Sequence, residues 1–176
     1  INISDRIVFN SQWSKKRFLL KLNHFYYKSK KLIVIHQSAS KTKINFKKKN
    51  KVIAFVGKLN SAKGYDLFGK AITKILKKYP DWKSIVFGDE PREKIIFKHK
   101  NLKILGFLKH SKVLEILKKT SIAVACSRWD EPLGRTSLEA SSRGCATIIS
   151  NKGGLPETVT NGIILNDLTV DSVYTA

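Results

Sequence analysis

The sequence predicts an α/β fold in which a parallel sheet carries helices on both of its faces. Short β-branched runs recur from residue 52 onward, apolar residues at helical spacing separate several of them, and unusual loops follow the predicted strand ends. Buried parallel strands are typically short and almost continuously hydrophobic, whereas helices that cover a sheet show a 3.6-residue period. Strands and helices that alternate in this way build a parallel sheet between two helical layers.

Five segments have strand character and three have helical character. The predicted strands cover 52–57, 84–88, 102–107, 121–127 and 146–150. The first predicted helix places its apolar residues between Phe68 and Tyr79 and stops at Pro80; the second is capped by Ser111 and carries Val113, Leu114 and Leu117; the third covers 135–144 and ends at Gly144.

Length and composition predict one domain with a substantial core, since the chain has 176 residues and is 42% hydrophobic. No run of about eighteen apolar residues exists, and the opening residues have no leader pattern. The chain also contains no Met, so it reads as a piece of a longer protein. Cys126 and Cys145 form neither a CxxC pair nor a zinc motif, which favours a reduced, cytoplasmic protein.

The positive charge is concentrated in the front of the chain. The net charge is +21, and residues 1–51 hold fourteen basic residues and one acidic residue, whereas residues 121–176 hold four and six. Such polarisation is typical of a front part that contacts an anionic partner. A general lysine-rich composition, visible in the solvated run at 47–51, explains the charge equally well, and both explanations stay open.

Three loops should share one rim of the sheet. They cover 57–64, 128–134 and 151–157, and each follows the end of a predicted strand. Ligands of open parallel sheets bind outside the carboxyl ends of the strands. The sequence therefore predicts one site built from all three loops.

Lys58 and Lys63 flank the first turn of that rim and precede Gly64, where a helix is predicted to begin. Two ammonium groups beside free helix N–H groups would bind a diphosphate. The turn is neither a P-loop nor a GxGxxG dinucleotide motif. Two lysines in so lysine-rich a chain can also be ordinary surface residues.

Glu131 lies in the second loop, and Glu139 lies about one turn into the helix that follows. An ionised carboxylate accepts hydrogen bonds through two oxygens and suits a vicinal pair of hydroxyls. Two carboxylates separated by the width of a diphosphate would hold the two sugar rings of a nucleotide-sugar. Gly134 and the pair Gly153 and Gly154 let backbone approach closely. Each of these residues alone is also compatible with a solvated helix face or a plain turn.

The stretches "FVGKLNSAKGYDL", "EPLGRTSLEA" and "SNKGGLPETV", in this order and spacing, resemble the C-terminal, donor-binding domain of GT-B fold glycosyltransferases. The resemblance is to the retaining enzymes of family 4, with their E-x7-E motif at Glu131 and Glu139. The front stretch "ISDRIVFNSQWSKKRFLL" resembles the end of that family's N-terminal domain. The resemblance implies that residues 1–40 complete the N-terminal domain and its linker, and that residues 41–176 form a Rossmann-like C-terminal domain whose final helix is truncated.

The resemblance implies a role for each site residue. Lys58 and Lys63 would hold the diphosphate, and Glu139 would bind the ribose hydroxyls. Glu131 would hold the transferred sugar, together with the backbone of its neighbours. The implied catalytic residues are Glu131, Lys58 and Lys63, and the implied donor-binding residues are Lys58, Lys63, Phe107, Val113, Glu131, Leu133, Gly134, Arg135, Glu139 and Gly154.

Three positions depart from the family pattern. Lys58 stands where Arg is commoner and lacks the bidentate fork of a guanidinium, Leu133 replaces the usual Phe, and "VIHQSAS" at 34–40 replaces the usual hinge turn. The implied reaction is transfer with retention from a UDP-, GDP- or ADP-sugar. Lysines and helix N-termini would stabilise the leaving group, and no DxD-like metal motif occurs, so neither a cofactor nor a metal is expected.

The implied partners are the nucleotide-sugar and a glycan or lipid-linked acceptor of the cell envelope. The basic front would then dock peripherally on the anionic inner face of a membrane, with Trp13, Phe25, Tyr26 and Tyr27 near the headgroups, or these aromatics are core residues. The alternatives are an epimerase or phosphorylase on the same fold, and a nucleic-acid binder that uses the aromatic and lysine-rich segment 23–31. The acidic loop at 130–131 opposes nucleic-acid binding, because it would repel phosphates.

Overall fold

The computed structural model describes residues 3–22, 24–40 and 42–176, without the side chains of His24 and Phe25. The side chain of Phe25, predicted to lie near lipid headgroups, is therefore outside the described part. So is residue 23 of the aromatic and lysine-rich segment 23–31. The strands are β1 (Ile7–Phe9), β2 (Leu32–Val34), β3 (Asn50–Val56), β4 (Lys83–Phe87), β5 (Leu102–Ile104), β6 (Thr120–Ala125), β7 (Ala146–Ser150) and β8 (Ile163–Leu165). The helices are α1 (Gln12–Leu19), α2 (Tyr65–Lys78), α3 (His110–Leu117), α4 (Arg135–Ser142) and α5 (Val170–Thr175).

Six strands form one sheet in the order β5-β4-β3-β6-β7-β8, and all neighbouring pairs are parallel. Counted from β3, this is the order 3-2-1-4-5-6 of dinucleotide-binding folds. The chain therefore runs outward in one direction from β3 to β5, crosses back, and continues in the other direction from β6. This arrangement confirms the predicted fold class.

The sheet is buried on both faces because successive residues of a strand point to opposite sides. In β3, Ile53 and Phe55 face one core, which includes α2 and α5, whereas Ala54 faces another, which includes α3 and α4. The small Ala54 lies opposite Ala123 of β6 in register, on the face that α3 covers. Helices on both faces are thus the direct result of strands that are apolar at nearly every position.

Residues before the main sheet form a small unit of their own. Strands β1 and β2 pair in parallel, with Val8 opposite Ile33, and α1 lies in the connection between them. The side chain of Ser11 caps α1 by accepting a hydrogen bond from the backbone N–H of Ser14. The linker that follows is attached to the main domain by Arg143, whose guanidinium donates to the carbonyl of Ser40 at 2.7 Å.

The structure corrects three details of the predicted elements. Ser111 does not cap α3, because the helix already begins at His110, with Lys109 in the capping position and no side-chain cap. The predicted strand over 102–107 stops at Ile104, before Gly106 in its left-handed conformation. Strand β8 was missed, because its apolar run "IIL" is only three residues long and lies at the edge of the sheet.

Among the described residues, no helix is both long and apolar enough to cross a bilayer. Of the aromatic residues predicted to sit at a headgroup layer or in a core, Trp13 and Tyr26 are half-buried, and Tyr27 is exposed.

Both cysteines should resist chemical modification in the folded protein. Cys126 and Cys145 are buried as free thiols, and burial raises their pKa values to about 12 and about 11. Because the thiolate is the reactive species, an aromatic disulfide reagent at pH 8 should label neither residue within minutes, and both in denaturant. Labelling of either thiol in the native state at the denatured rate would contradict their burial.

Candidate functional site

The predicted loops meet where the strand order of the sheet reverses. The first loop leaves β3 and the second leaves β6, and these two strands are neighbours across the reversal. The third loop leaves β7, which pairs with β6. In parallel sheets the crevice outside this switch point is the usual ligand site. The fold therefore assigns the candidate site to the rim that the sequence indicated.

Gly64 lets the first two loops touch. Its φ of +73° is left-handed, and a Cβ there would lie 1.9 Å from the carbonyl oxygen of Cys126, at the end of β6. The loops are also joined by backbone, since the N–H groups of Arg128 and Trp129 both donate to the carbonyl of Ala62, at 2.9 and 3.1 Å. Only glycine at position 64 allows this approach.

Lys63 and Glu131 form an ion pair across the joined loops. The side chain of Glu131 is only 16% exposed, so the lysine compensates a largely desolvated carboxylate. The pair lines a small cavity of about 80 Å³, together with Gly57, Gly134 and Arg135. The structure thus brings four of the sequence-predicted residues, Lys63, Glu131, Gly134 and Arg135, to one point.

A larger cavity of about 540 Å³ adjoins the small one, and Gly57 lines both. Lys58 lies in its wall, and so do Phe107 and Val113, the two residues expected at a nucleobase. Their surroundings differ: the ring of Phe107 is 82% exposed at the rim, whereas Val113 belongs to the buried core of α3. The volume suits a drug-sized ligand.

Glu139 is held on the rim by two basic side chains. Its Oε1 lies 3.0 Å from Nη2 of Arg135, one turn earlier on α4, and 3.0 Å from Nε2 of His110, the first residue of α3. Its side chain is 16% exposed. Glu139 lines neither of these two cavities. A ligand that reaches its carboxylate must therefore extend beyond them.

Neither α2 nor α4 has a capping side chain at its N-terminus in the described part of the chain. The first turn of α2 carries Asp66, whose carboxylate pairs with Arg128. Helix α4 starts after Gly134, at φ +94°, and no side chain caps it in the part of the chain that the structure describes. Because α4 begins at the small cavity, its N-terminal N–H groups lie beside the predicted anion site as well.

The two glycines of the third loop face the second loop. The N–H of Gly154 donates to the carbonyl of Glu131 at 2.6 Å. A Cβ on Gly153 would lie 2.1 Å from that same carbonyl oxygen, and one on Gly154 would lie 2.5 Å from that of Pro132. These glycines therefore admit backbone of the acidic loop. Leu133 is buried and lines neither cavity with its side chain.

Sequence reasoning missed several charged residues around the site. The guanidinium of Arg92 holds the pKa of Glu90 at about 2, and that carboxylate, 4% exposed, belongs to the wall of the larger cavity. Hydrogen bonds from Arg128 lower the pKa of Asp66 and fasten the second loop to α2. In the sequence, both pairs could be noticed only as charged residues in or beside a loop that follows a strand. The partner of each charged residue becomes visible only in the folded chain.

These features define a class of protein: a Rossmann-like domain whose switch-point rim combines lysines, carboxylates and an uncapped helix N-terminus. Residues 36–172 match the family described as glycosyl transferases group 1. The chain belongs to this family, and its fold is that of the C-terminal half of GT-B glycosyltransferases.

Three known proteins illustrate the similarity. Spore coat protein SA of Bacillus subtilis is 30% identical over 136 residues, which cover 66% of this chain and 35% of that protein. The GPI3 subunit of phosphatidylinositol N-acetylglucosaminyltransferase from Saccharomyces cerevisiae is 31% identical over 132 residues, covering 71% of this chain and 28% of the yeast protein. The crystal structure of HepE from Anabaena, in complex with UDP and glucose, superposes with a TM-score of 0.77 at 18% identity, covering 99% of this chain and 53% of that one.

The chain spans about a third of the length of the curated relatives that it matches. The match to the family model shows the family, whereas the similarity to HepE, at 18% identity, shows the fold alone.

Proposed function

We propose that the chain is the donor-binding part of a family 4 type retaining glycosyltransferase, in which residues 41–176 bind a nucleoside-diphosphate sugar. The observation that carries the proposal is the ion pair of Lys63 and Glu131 in the wall of the small cavity, which adjoins the larger one at Gly57. A diphosphate requires a cation there, and a sugar requires an acceptor beside it. Both groups are in place at the carboxyl ends of β3 and β6.

The two cavities divide the donor in this proposal. The larger one, with Phe107 at its rim, would hold the nucleobase, and Lys58 in its wall would face the diphosphate. The smaller one would hold the transferred sugar against Glu131 and Gly134. Glu139, outside both cavities, would accept hydrogen bonds from the ribose after exchanging one of its two partners, Arg135 or His110.

As the nucleoside diphosphate departs, negative charge develops on its terminal phosphate, which would lie beside Lys58, Lys63 and the N-terminus of α4. Groups that are already oriented toward developing charge lower the barrier most effectively. These groups supply the charge stabilisation in the proposal, which therefore requires no metal ion. Binding of the donor must separate Lys63 from Glu131, so that the lysine turns to the phosphates as the carboxylate turns to the sugar.

The acceptor in this proposal is a glycan or a lipid-linked glycan, and the name of the yeast relative, a phosphatidylinositol N-acetylglucosaminyltransferase subunit, supports a lipid-linked one. The exposed basic residues of the front segment, among them Lys16, Arg17, Lys28 and Lys30, would then face the anionic inner surface of a membrane. In the proposal, the protein is cytoplasmic and bound peripherally to the membrane.

Alanine substitutions of Glu139 and Glu131 should affect ligand binding in different ways. Glu139→Ala should weaken the binding of the matching nucleoside diphosphate by roughly 1.5–3 kcal/mol, because it removes a charged acceptor for the ribose. Glu131→Ala should leave the affinity for the nucleoside diphosphate unchanged but abolish any additional affinity that the sugar provides. Calorimetry with UDP, GDP and ADP and with their sugars measures both quantities on the 176-residue chain.

Glu115→Ala is the matched control, since Glu115 is an exposed glutamate of α3 that pairs with Lys118. Equal loss of nucleoside diphosphate in the Glu131 and Glu139 variants would refute the division of labour. Absence of binding by the unmodified chain to all three nucleoside diphosphates would refute the proposed function itself.

A further inference from the structure

The acidic loop that carries Glu131 is held at two consecutive carbonyls. That of Glu131 accepts the N–H of Gly154 at 2.6 Å, as described above. The carbonyl of Pro132 accepts the hydroxyl of Ser11 at 2.5 Å, and the hydroxyl of Ser14 lies 3.0 Å from the same oxygen. The backbone on the C-terminal side of Glu131 is therefore fastened on one side by the third loop and on the other by the start of α1.

Glu157 joins these two fastenings to each other. Its carboxylate accepts the backbone N–H groups of Gln12 and Trp13, at 2.7 and 2.9 Å, and lies 2.8 Å from Nε2 of His36. The N–H of Glu157 in turn donates to the carbonyl of Gly154 at 3.1 Å. A carboxylate at a helix N-terminus is a favourable arrangement, and three donors saturate most of its lone pairs.

Burial would raise the pKa of Glu157, but the hydrogen bonds from Gln12, His36 and Trp13 outweigh it, and the pKa is lowered. The carboxylate is thus charged under ordinary conditions. Ser11 is fully buried, so its hydroxyl has no water to replace Pro132 as a partner. Both residues are separated from their partners by more than a hundred positions in sequence.

We propose that Ser11 and Glu157 are positioning residues, which use the N-terminus of α1 to fix the loop from which Glu131 projects. We call their contacts with Pro132, Gln12 and Trp13 the α1 clasp. The inference rests on the proposed function in one respect, namely that Glu131 contacts the transferred sugar. It adds that the front segment, which belongs to the preceding domain in the proposal, forms part of the scaffold of the donor site.

The first test needs no ligand. Hydrogen exchange of the amide of Gly154 reports the bond to Glu131, and exchange of the amide of Phe55 reports global unfolding. In Glu157→Ala the Gly154 amide should exchange more than about tenfold faster, because a hydrogen bond to a charged group is worth one to two decades. The isosteric Glu157→Gln should show a smaller increase, and Ser11→Ala an increase in the same direction. Phe55 should not change.

Glu115→Gln is the matched control and should leave all these amides unchanged. The proposal is overturned if only the amides of Gln12 and Trp13 exchange faster in the Glu157 variants while Gly154 keeps its rate, because Glu157 would then do no more than cap α1. It is equally overturned if Gly154 and Phe55 accelerate together, because Glu157 would then stabilise the whole domain.

The second test concerns the sugar. In Glu157→Gln the affinity for the nucleoside diphosphate should be retained, while the ratio of nucleotide-sugar affinity to nucleoside diphosphate affinity should fall toward one. A purely structural role would reduce both affinities in parallel and would contradict the proposal. If the unmodified chain binds no nucleotide, the proposed function fails, and the exchange experiment still decides on the α1 clasp.

Discussion

Replacing Lys63 with alanine should weaken binding of the nucleoside diphosphate by about one to two orders of magnitude, since charge-assisted hydrogen bonds of this kind contribute about 1.5–3 kcal/mol. The variant also leaves Glu131, with its mostly buried side chain, without its cationic partner next to the phosphates. The rate of sugar transfer by the full-length protein should fall further, by roughly 10²–10³-fold, because the developing charge of the leaving group loses a cationic hydrogen-bond donor. Calorimetry and steady-state kinetics measure the two effects.

Lys70→Ala provides the matched control, because Lys70 is exposed on the next turn of α2 and its loss changes the net charge equally. If Lys70→Ala weakened binding as much as Lys63→Ala, the diphosphate would be responding to the overall positive charge of the protein. The double variant Lys63→Ala with Glu131→Gln should recover part of the affinity, since it removes the unpaired carboxylate.

Gly64→Ala should lower the free energy of unfolding by about 3–5 kcal/mol, at the upper end of single-substitution effects. The added Cβ would lie 1.9 Å from the carbonyl oxygen of Cys126, and that backbone cannot move without displacing the end of β6. Left-handed φ adds about 1–2 kcal/mol of strain. Urea unfolding of the purified variant measures the loss.

Gly106→Ala separates the two contributions. Gly106 has a similar φ of +67°, but no atom of the described residues lies within 4 Å of the added Cβ. It should therefore cost only the strain of about 1–2 kcal/mol. Equal unfolding energies for the two variants would show that the close contact between the first loop and β6 is not structurally important.

Most strands of the main sheet could be predicted because burial on both faces imposes a run of apolar residues. Strand β8 escaped because three apolar residues at an edge carry no such pattern. The start of α3 was misplaced because His110 begins the helix without any capping side chain, whereas Ser111 fits the statistical preference for a cap.

The candidate site could be predicted as a rim, since loops that follow parallel strands must converge. Its internal contacts could not. The pair of Lys63 and Glu131 spans 68 positions, and the contact of Ser11 with Pro132 spans 121, so each depends on the packing of whole elements. Glu157 lay inside a recognised loop, yet nothing in its local sequence indicates that its partner is the first turn of α1.

The measurement that tests the central claim most directly is a residue-resolved amide chemical-shift titration of the 176-residue chain with UDP, GDP and ADP at physiological salt. We expect that at least one of them saturably shifts the amides of residues 57–64 and 134–139, on both sides of the switch point between β3 and β6. High salt screens nonspecific binding to the many lysines and should leave these shifts in place. Shifts that never saturate, or that fall only on the basic segment 15–51, would contradict the claim that this rim is the donor site.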